Sequence, residues 1–172
     1  MLRSTAVIIA AALLASCSEG SAPAPAAKGP SRPAPTEAEK AAILASLPAP
    51  YNAADLENGR RAFARCRSCH TINEGGSNMT GPNLWGVFGR TAGTHPGYNY
   101  SASVKAAGFV WDADKLDHWL QNPRGFLPGN KMTFPGLPDA TDRRDVIAFL
   151  KVETGYAPHS EGKEGEHEDG EE

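Results

Sequence analysis

The sequence has no hydrophobic run long enough to cross a membrane, no internal repeat and no concentrated basic segment. Its longest apolar stretch, residues 6–15, falls well short of the ~20 residues that a transmembrane helix needs. The 172 residues carry 17 basic and 20 acidic side chains, a formal charge of −3. This balance argues against a general nucleic-acid-binding protein, because such proteins need clustered positive charge. The length suits one domain with additional sequence.

The sequence also has no segment with a convincing strand pattern. Apolar residues recur at helical spacing instead, and the capping-box pair Thr36 and Glu39 precedes the first such segment. Glycine and proline, at 18 and 14 residues, are abundant enough to predict long loops. We therefore predict an all-α fold, a small helical domain with long connecting loops. The expected helices cover residues 37–47, 53–66, 100–107, 112–121 and 141–154, with Asp112 and Thr141 as N-caps of the last two.

An export signal is predicted over residues 1–17. Arg3 precedes the apolar stretch at 6–15, which is the order typical of a secretion signal. Leu-Ala-Ser-Cys at 14–17 then resembles the bacterial lipoprotein processing box, in which the cysteine is acylated and becomes the new N-terminus. We therefore expect Cys17 to be lipidated and to anchor the protein to a bacterial membrane on the extracytoplasmic, periplasmic side. An ordinary signal peptide with an incidental cysteine is the alternative, and the choice between inner and outer membrane stays open.

Composition divides the rest of the chain into a tether, a domain and a tail. Residues 18–50 are rich in proline and alanine, which is typical of a semi-rigid linker, and they include the short helix predicted at 37–47. Residues 51–157 hold twelve basic and ten acidic side chains and form the predicted domain. Residues 158–172 hold seven acidic side chains against Lys163 alone, so we expect a disordered acidic tail.

The motif that carries chemistry is Cys66-Arg67-Ser68-Cys69-His70. Cys-x-x-Cys-His is the sequence signal for covalent attachment of c-type haem. One turn of chain between the thiols can present both sulfurs to the vinyl groups on one porphyrin edge, and the adjacent His70 can then reach the iron. We therefore predict one haem c, attached through Cys66 and Cys69, with His70 as an iron ligand.

Three other uses of the motif are weaker. A structural zinc site needs further cysteine or histidine ligands at matching spacing, which the sequence does not offer. A thioredoxin-like redox pair needs a βαβ setting, and a plain disulfide leaves His70 unexplained. The predicted export signal also favours haem, because c-type haem is attached outside the cytoplasm.

The second axial ligand of the iron decides between electron transfer and small-molecule chemistry. After the signal segment the chain contains two methionines, Met79 and Met132. Met79 lies close to His70 in sequence and would have to cross the porphyrin to reach its far face. Met132 lies far downstream, in a loop rich in proline and glycine that can wrap around that face. We therefore predict that Met132 is the second iron ligand.

Residues 53–157 resemble a class I cytochrome c of the mitochondrial type, here in a bacterial lipid-anchored form. The resemblance implies the cytochrome c fold, with long loops wrapped around one covalently bound haem. Besides the haem motif, it rests on Gly-Pro-Asn-Leu-Trp at 81–85, Gly-Tyr-Asn-Tyr-Ser at 97–101, Trp111, Asn-Pro at 122–123, Pro-Gly-Asn-Lys-Met at 128–132 and Arg-x-Asp-x-Ile-x-Phe-Leu at 143–150, which follow one another in family order.

The resemblance implies cofactor-binding roles for further residues. The Pro82 carbonyl would accept the ring N–H of His70 and so orient that ligand. Arg90, Tyr100 and Trp111 would hold the haem propionates.

The resemblance also implies helix packing and shows two departures near the haem. The first and last helices of the domain would cross at Gly59, with Phe63 packed on Phe149. Trp119 stands where the family commonly has a tyrosine that bonds the methionine sulfur, and Val104 replaces a buried asparagine. Both departures affect the expected redox tuning, and neither removes an iron ligand.

By this resemblance the protein is a one-electron carrier of a respiratory chain and not an enzyme. The expected donor is a quinol-oxidising cytochrome complex, and the expected acceptor is a terminal oxidase or another reductase. We expect a monomer with no nucleic-acid partner. Exposed cations would surround the haem edge and guide docking, namely Lys131, Lys105, Arg65 and Arg67.

Other functions remain open from the residues alone. They are a small haem enzyme or gas-binding protein with a displaceable Met132, a redox subunit held permanently by one enzyme, and an interaction module without haem. The enzyme alternative lacks a distal catalytic His-Arg pair in the sequence. Two further histidines of the domain, His95 and His118, are expected at the surface.

Overall fold

The computed structural model of the chain describes residues 35–155. The predicted signal segment, the first part of the tether and the acidic tail, residues 158–172, lie outside the described residues. The described part is helical, as predicted, and contains no strand beyond one isolated bridge between Thr91 and Val110. None of its helices has the length and apolarity required to span a bilayer. In chain order the helices are α1 (Glu37–Ser46), a 3₁₀ turn (Tyr51–Ala53), α2 (Leu56–Phe63), α3 (Ala102–Lys105), α4 (Ala113–Gln121), α5 (Pro123–Phe126) and α6 (Ala140–Glu153).

Helices α2 and α6 form the central packed pair. A Cβ atom at Gly59 would overlap the backbone carbonyl of Asp145, so glycine is what allows the two helices to approach this closely. Further along the same contact, the rings of Phe63 and Phe149 lie with centroids 5.6 Å apart. This packing holds the end of α2, and the Cys66 motif that follows it, against α6.

The apolar core lies between α2, α4 and α6. Helix α4 contributes Leu116 and Leu120. Leu137, in the loop that precedes α6, is fully buried. Helix α6 is buried along most of its length, because both α2 and α4 pack against it. Helix α6 therefore supports both α2 and α4, which shape the interior.

Helix α1 packs against α6. Its capping box is complete: the Thr36 side chain accepts from the backbone of Glu39, whose carboxylate accepts the Thr36 N–H at 2.7 Å. The Lys40 ammonium lies 2.7 Å from the Glu153 carboxylate at the end of α6. Leu47, directly after α1, is only 3% exposed. The chain therefore enters the domain along α6.

The start of α6 differs from the prediction. Thr141 was expected to be the N-cap, but the Asp139 carboxylate accepts the backbone N–H groups of Thr141 and Asp142 at 2.8 and 2.9 Å, and the helix begins at Ala140. An aspartate oxygen is a stronger acceptor than a threonine hydroxyl and satisfies two free N–H groups here. Helix α5 was not predicted, because four residues that begin with proline show no helical periodicity.

Helices α2 and α3 are shorter than predicted. Asp55 caps α2 and separates it from the 3₁₀ turn at Tyr51–Ala53, and regular α2 ends at Phe63. Ser101 caps α3, which covers only one turn. The predicted start of α4 agrees with the structure, since Asp112 caps it by accepting from Lys115.

Candidate functional site

A cavity of about 460 Å³ opens between α2, α4, α6 and the loops that connect them. Its lining is mostly apolar. Cys17 lies outside the described residues. The cofactor-binding residues predicted from the sequence all line this one cavity: Cys66, Cys69, His70, Pro82, Arg90, Tyr100, Trp111 and Met132.

The two thiols follow directly after α2. The Cys66 N–H donates to the Phe63 carbonyl at 2.8 Å and the His70 N–H donates to the Cys66 carbonyl at 3.0 Å, so the motif continues the helix as a series of turns. Both cysteines are free thiols. Burial raises the pKa of the Cys66 thiol to about 11, so this thiol is protonated at neutral pH. It therefore lacks the low pKa of a reactive thiol-disulfide pair.

The His70 ring is fixed by the loop that follows the motif. Its Nδ1 atom lies 2.7 Å from the Pro82 carbonyl oxygen, and because a carbonyl only accepts, Nδ1 carries the proton. Burial lowers the pKa of His70, which also favours the neutral ring. Gly81 packs so closely on this ring that any Cβ there would overlap it. The Nε2 lone pair is therefore left available for a ligand.

Met132 lies in a loop held by a side-chain anchor. The Asn130 side chain accepts the Met132 N–H at 2.8 Å and donates to the carbonyls of Pro123 and Leu127 at 2.8 Å each. Met132 lines the cavity, whereas Met79 does not line it and is 47% exposed. Of the two methionines, Met132 is thus the one placed with His70.

Arg90 enters the cavity from the loop between the motif and α3. Its guanidinium donates to the Trp85 carbonyl at 3.0 Å and to the Asn83 carbonyl at 3.3 Å. Its backbone carbonyl accepts the Trp111 N–H at 2.9 Å, which places Trp111 beside it. Burial lowers the pKa of Arg90 and raises the pKa of Tyr100. These side chains form the polar part of the cavity wall.

The positions that depart from the family pattern also line the cavity. Trp119 packs edge-on against Trp111, with ring centroids 5.5 Å apart, and against Phe126 at 6.1 Å. Val104 is buried. The wall is therefore more apolar at these positions than a tyrosine and an asparagine would make it.

Two structural residues of the site were missed from the sequence. Asn83 is 2% exposed and its side chain donates to the Thr71 hydroxyl and the Asn73 carbonyl, which ties the loop after His70 together. His95, expected at the surface, is half-buried, and its Nδ1 atom lies 2.8 Å from the Arg90 guanidinium. Contacts between loop residues leave no periodic pattern in a sequence, so no signal pointed to His95.

A second depression, of about 530 Å³, lies near Pro50 and the start of α6. Three of its charged side chains are paired, since Arg143 bonds Asp117 at 2.8 Å and Arg144 lies 2.7 Å from Asp145. Residues 35–155 contain no group of three or more His, Cys, Asp or Glu side chains placed to hold a metal ion together. None of the predicted cofactor-binding residues lines this depression.

The cavity residues fit a c-type haem. Two thiols can form thioethers, a neutral imidazole and a thioether sulfur can bind iron, and a guanidinium can meet carboxylates. These groups share one largely apolar cavity, which suits a porphyrin with charge only at its propionates and its iron.

Comparisons with known proteins agree with this fit. Residues 56–152 match the cytochrome c family. The chain is 44% identical to cytochrome c from Sesamum indicum over 101 residues, which cover 58% of this chain and 91% of that protein. It is 45% identical to a cytochrome c homolog from Bradyrhizobium diazoefficiens over 98 residues, 56% of this chain and 53% of that protein. The solved structure of cytochrome cH from Methylobacterium extorquens matches with a TM-score of 0.54 and 41% identity, covering 58% of this chain and 99% of that chain.

These matches confirm the predicted cytochrome c fold and one c-type haem attached covalently through two cysteines. They also confirm a haem-based electron carrier and not an enzyme. From its sequence, its helical fold and its cavity, the chain belongs to the cytochrome c family.

Proposed function

We propose that this protein is a lipid-tethered electron carrier of a bacterial cell envelope, with haem attached through Cys66 and Cys69 and iron bound by His70 and Met132. The observation that carries the proposal is that these four side chains line one largely apolar cavity. When bound, the haem supplies a one-electron couple between ferric and ferrous iron. The protein's own residues orient that group, exclude water and set its preference for an electron.

His70 is held before any ligand binds. The Pro82 carbonyl fixes the ring tautomer, so Nε2 keeps its lone pair, and an acceptor on Nδ1–H raises the basicity of the bound imidazole. Gly81 packs directly against the ring. A ligand fixed in this way needs little rearrangement when the charge on the iron changes.

Met132 and the apolar wall favour the reduced state. A thioether sulfur stabilises ferrous iron relative to ferric iron, and Asn130 anchors the loop that presents it. A largely apolar wall disfavours the additional positive charge of the ferric state. Both effects raise the potential, as an acceptor of electrons from a quinol-oxidising complex requires.

Arg90, Tyr100 and Trp111 are proposed to hold the haem propionates. Arg90 has five N–H groups, and the described contacts with Trp85, Asn83 and His95 use three of them. The remaining donors are available for a carboxylate. Binding propionates here would keep their negative charge away from bulk water.

The mouth of the cavity is proposed as the docking surface for redox partners. Arg65 and Lys131 line the cavity and are exposed, and exposed Arg67 and Lys105 lie next to other lining residues in sequence. A local positive surface favours weak, fast association with an acidic partner. We propose a quinol-oxidising cytochrome complex as donor and a terminal oxidase or another reductase as acceptor, with the carrier acting as a monomer.

The N-terminal segment is proposed to anchor the domain. Cleavage before Cys17 and acylation of its thiol would place the domain on the extracytoplasmic side of a membrane, and residues 18–50 would provide reach. Residues 51–157 would then form the mobile redox domain and 158–172 its acidic tail. Mass spectrometry of the mature N-terminus tests this: an acylated Cys17 is expected, and a free Ser18 or an intact Met1 would contradict it.

The visible spectrum of haem-loaded protein tests the ligand assignment. We expect a ferric sulfur-to-iron absorption band in the wild type, its loss in Met132→Ala, and its retention in Met79→Ala. Met79→Ala is a matched control because the same side chain is removed outside the cavity. A band that survives Met132→Ala would contradict the proposed ligation.

A further inference from the structure

His95 makes a contact that fixes its protonation state. Its Nδ1 atom lies 2.8 Å from Nη1 of Arg90. A guanidinium has only N–H donors and keeps its charge throughout the physiological pH range. Nδ1 must therefore be the acceptor, so this hydrogen bond exists only while the imidazole is neutral with its proton on Nε2.

Arg90 connects this imidazole to the haem cavity. Its guanidinium lines the cavity and also donates to the carbonyls of Trp85 and Asn83. Asn83 directly follows Pro82, whose carbonyl orients the His70 ring. A change at His95 thus acts on a side chain in the cavity wall and on the loop that supports an iron ligand.

We propose that His95 is a redox-linked positioning residue. In its neutral form it accepts a hydrogen bond from Arg90 at the edge of the haem cavity. Its protonation breaks that bond while the Trp85 and Asn83 carbonyls still hold Arg90, so a positive charge is added beside the cavity and the affinity of the haem for an electron increases. The proposal rests on the function proposed above, in that it places the haem propionates beside Arg90.

The direction of the coupling follows from charge. A ferrous haem carries one positive charge less than a ferric haem, so an imidazolium near the cavity favours the ferrous state. By linkage, one electron delivered to the iron by an electrode or a donor protein raises the proton affinity of His95. At a pH between the pKa of His95 in the ferric protein and its higher pKa in the ferrous protein, a solvent proton then binds Nδ1 as the electron arrives.

The surroundings of His95 shift its titration to lower pH. Burial, and then the Arg90 charge, lower the pKa of His95. Tyr100 is the other titratable side chain of this cluster, and because burial raises its pKa it stays uncharged in that range. Among the described residues, Arg90 and His95 are the members of the cluster that carry charge there.

The test is the midpoint potential of the haem-loaded full chain as a function of pH. His95→Gln keeps a hydrogen-bond acceptor for Arg90 but does not titrate, and His118→Gln removes an exposed histidine of α4 outside the cavity. We expect the wild-type potential to fall as pH rises through the His95 titration. This fall should disappear in His95→Gln and persist in His118→Gln.

An NMR titration of the His95 ring in both redox states gives a second readout. We expect a higher pKa in the ferrous protein than in the ferric protein. An unchanged pH step in His95→Gln, as titrating propionates would give, or equal pKa values in the two states, would overturn the proposal. Failure of the proposed ligation is visible separately, because the wild-type ferric protein would then lack its sulfur-to-iron band.

Discussion

Single residues around His70 decide how firmly this proposed iron ligand is held. Pro82 fixes the ring through one hydrogen bond of 2.7 Å, and Gly81 leaves room for the ring to lie against the backbone. The Cys-x-x-Cys-His motif predicts the ligand, and the family resemblance predicts the Pro82 contact. The need for glycine at 81 emerges only from the structure, because it depends on a contact between two loops.

Gly81→Ala is expected to displace the His70 ring and to lower the free energy of unfolding by about 1–3 kcal/mol through overpacking. Denaturant unfolding and the visible spectrum of haem-loaded protein measure both effects. Gly86→Ala is the control: it has open space but a φ of 62°, so it should lose about 1 kcal/mol by backbone strain without a spectral change. Unchanged stability and spectrum in Gly81→Ala would contradict the close packing.

His95 shows why some functional contacts escape sequence analysis. A histidine before a proline in a loop is typical of a surface turn, and the structure agrees only in part, because the side chain is half-buried. The loop brings His95 back onto Arg90, five positions earlier, through a conformation that no helical or strand period encodes. Only coordinates reveal such a pair.

At the level of elements, caps and periodicity predicted that the helices exist more accurately than they predicted where the helices begin and end. The capping box at Thr36 and the cap at Asp112 are both present. The α6 cap was misplaced because Asp139 and Thr141, two residues apart, are both good N-caps, and sequence alone does not say which N–H groups will be free. In the structure Asp139 is the N-cap, because its side chain reaches the N–H groups of Thr141 and Asp142.

Helix α1 was predicted, but its docking site on α6 was not, since composition describes a tether and not its contacts. Leu47 is almost fully buried. Leu47→Ala should therefore lower the free energy of unfolding by about 2 kcal/mol, while the visible spectrum stays unchanged because α1 does not line the cavity. Leu44 is half-buried, so Leu44→Ala is the matched comparison and should lower the free energy of unfolding by less. A loss below about 0.5 kcal/mol for Leu47→Ala would show that α1 does not pack on α6 in solution.

At the scale of the whole molecule, the cavity joins residues that are far apart in sequence. Met132 and His70 are brought to one apolar space by the α2, α4 and α6 packing. The motif and the loop composition pointed to His70 and Met132 as cavity residues, whereas Arg90, Tyr100 and Trp111 were predicted through the family resemblance. The cavity's size and polar anchors, such as Asn83 and Asn130, depend on side-chain networks that a single sequence does not display.

The charge around the cavity mouth predicts how electron transfer depends on ionic strength. Reduced haem-loaded protein should be oxidised by the anion ferricyanide more slowly as salt is added, because salt screens the attraction to exposed cations such as Lys131. Lys131→Gln should weaken this dependence, and Arg124→Gln, an exposed cation outside the cavity lining, should leave it closer to wild type. A rate that is independent of salt in the wild type would contradict a positive docking surface.

Ligation by both His70 and Met132 would close the iron on both faces and suit it to carry electrons. The measurement that tests it most directly is the ferrous visible spectrum of the haem-loaded wild-type protein, recorded before and after addition of carbon monoxide. Because Met132 and His70 line the same cavity, we predict a spectrum that carbon monoxide leaves unchanged. Ready formation of a carbon monoxide complex would contradict ligation of the iron on both faces, since it would mean that the iron has a site open to small molecules.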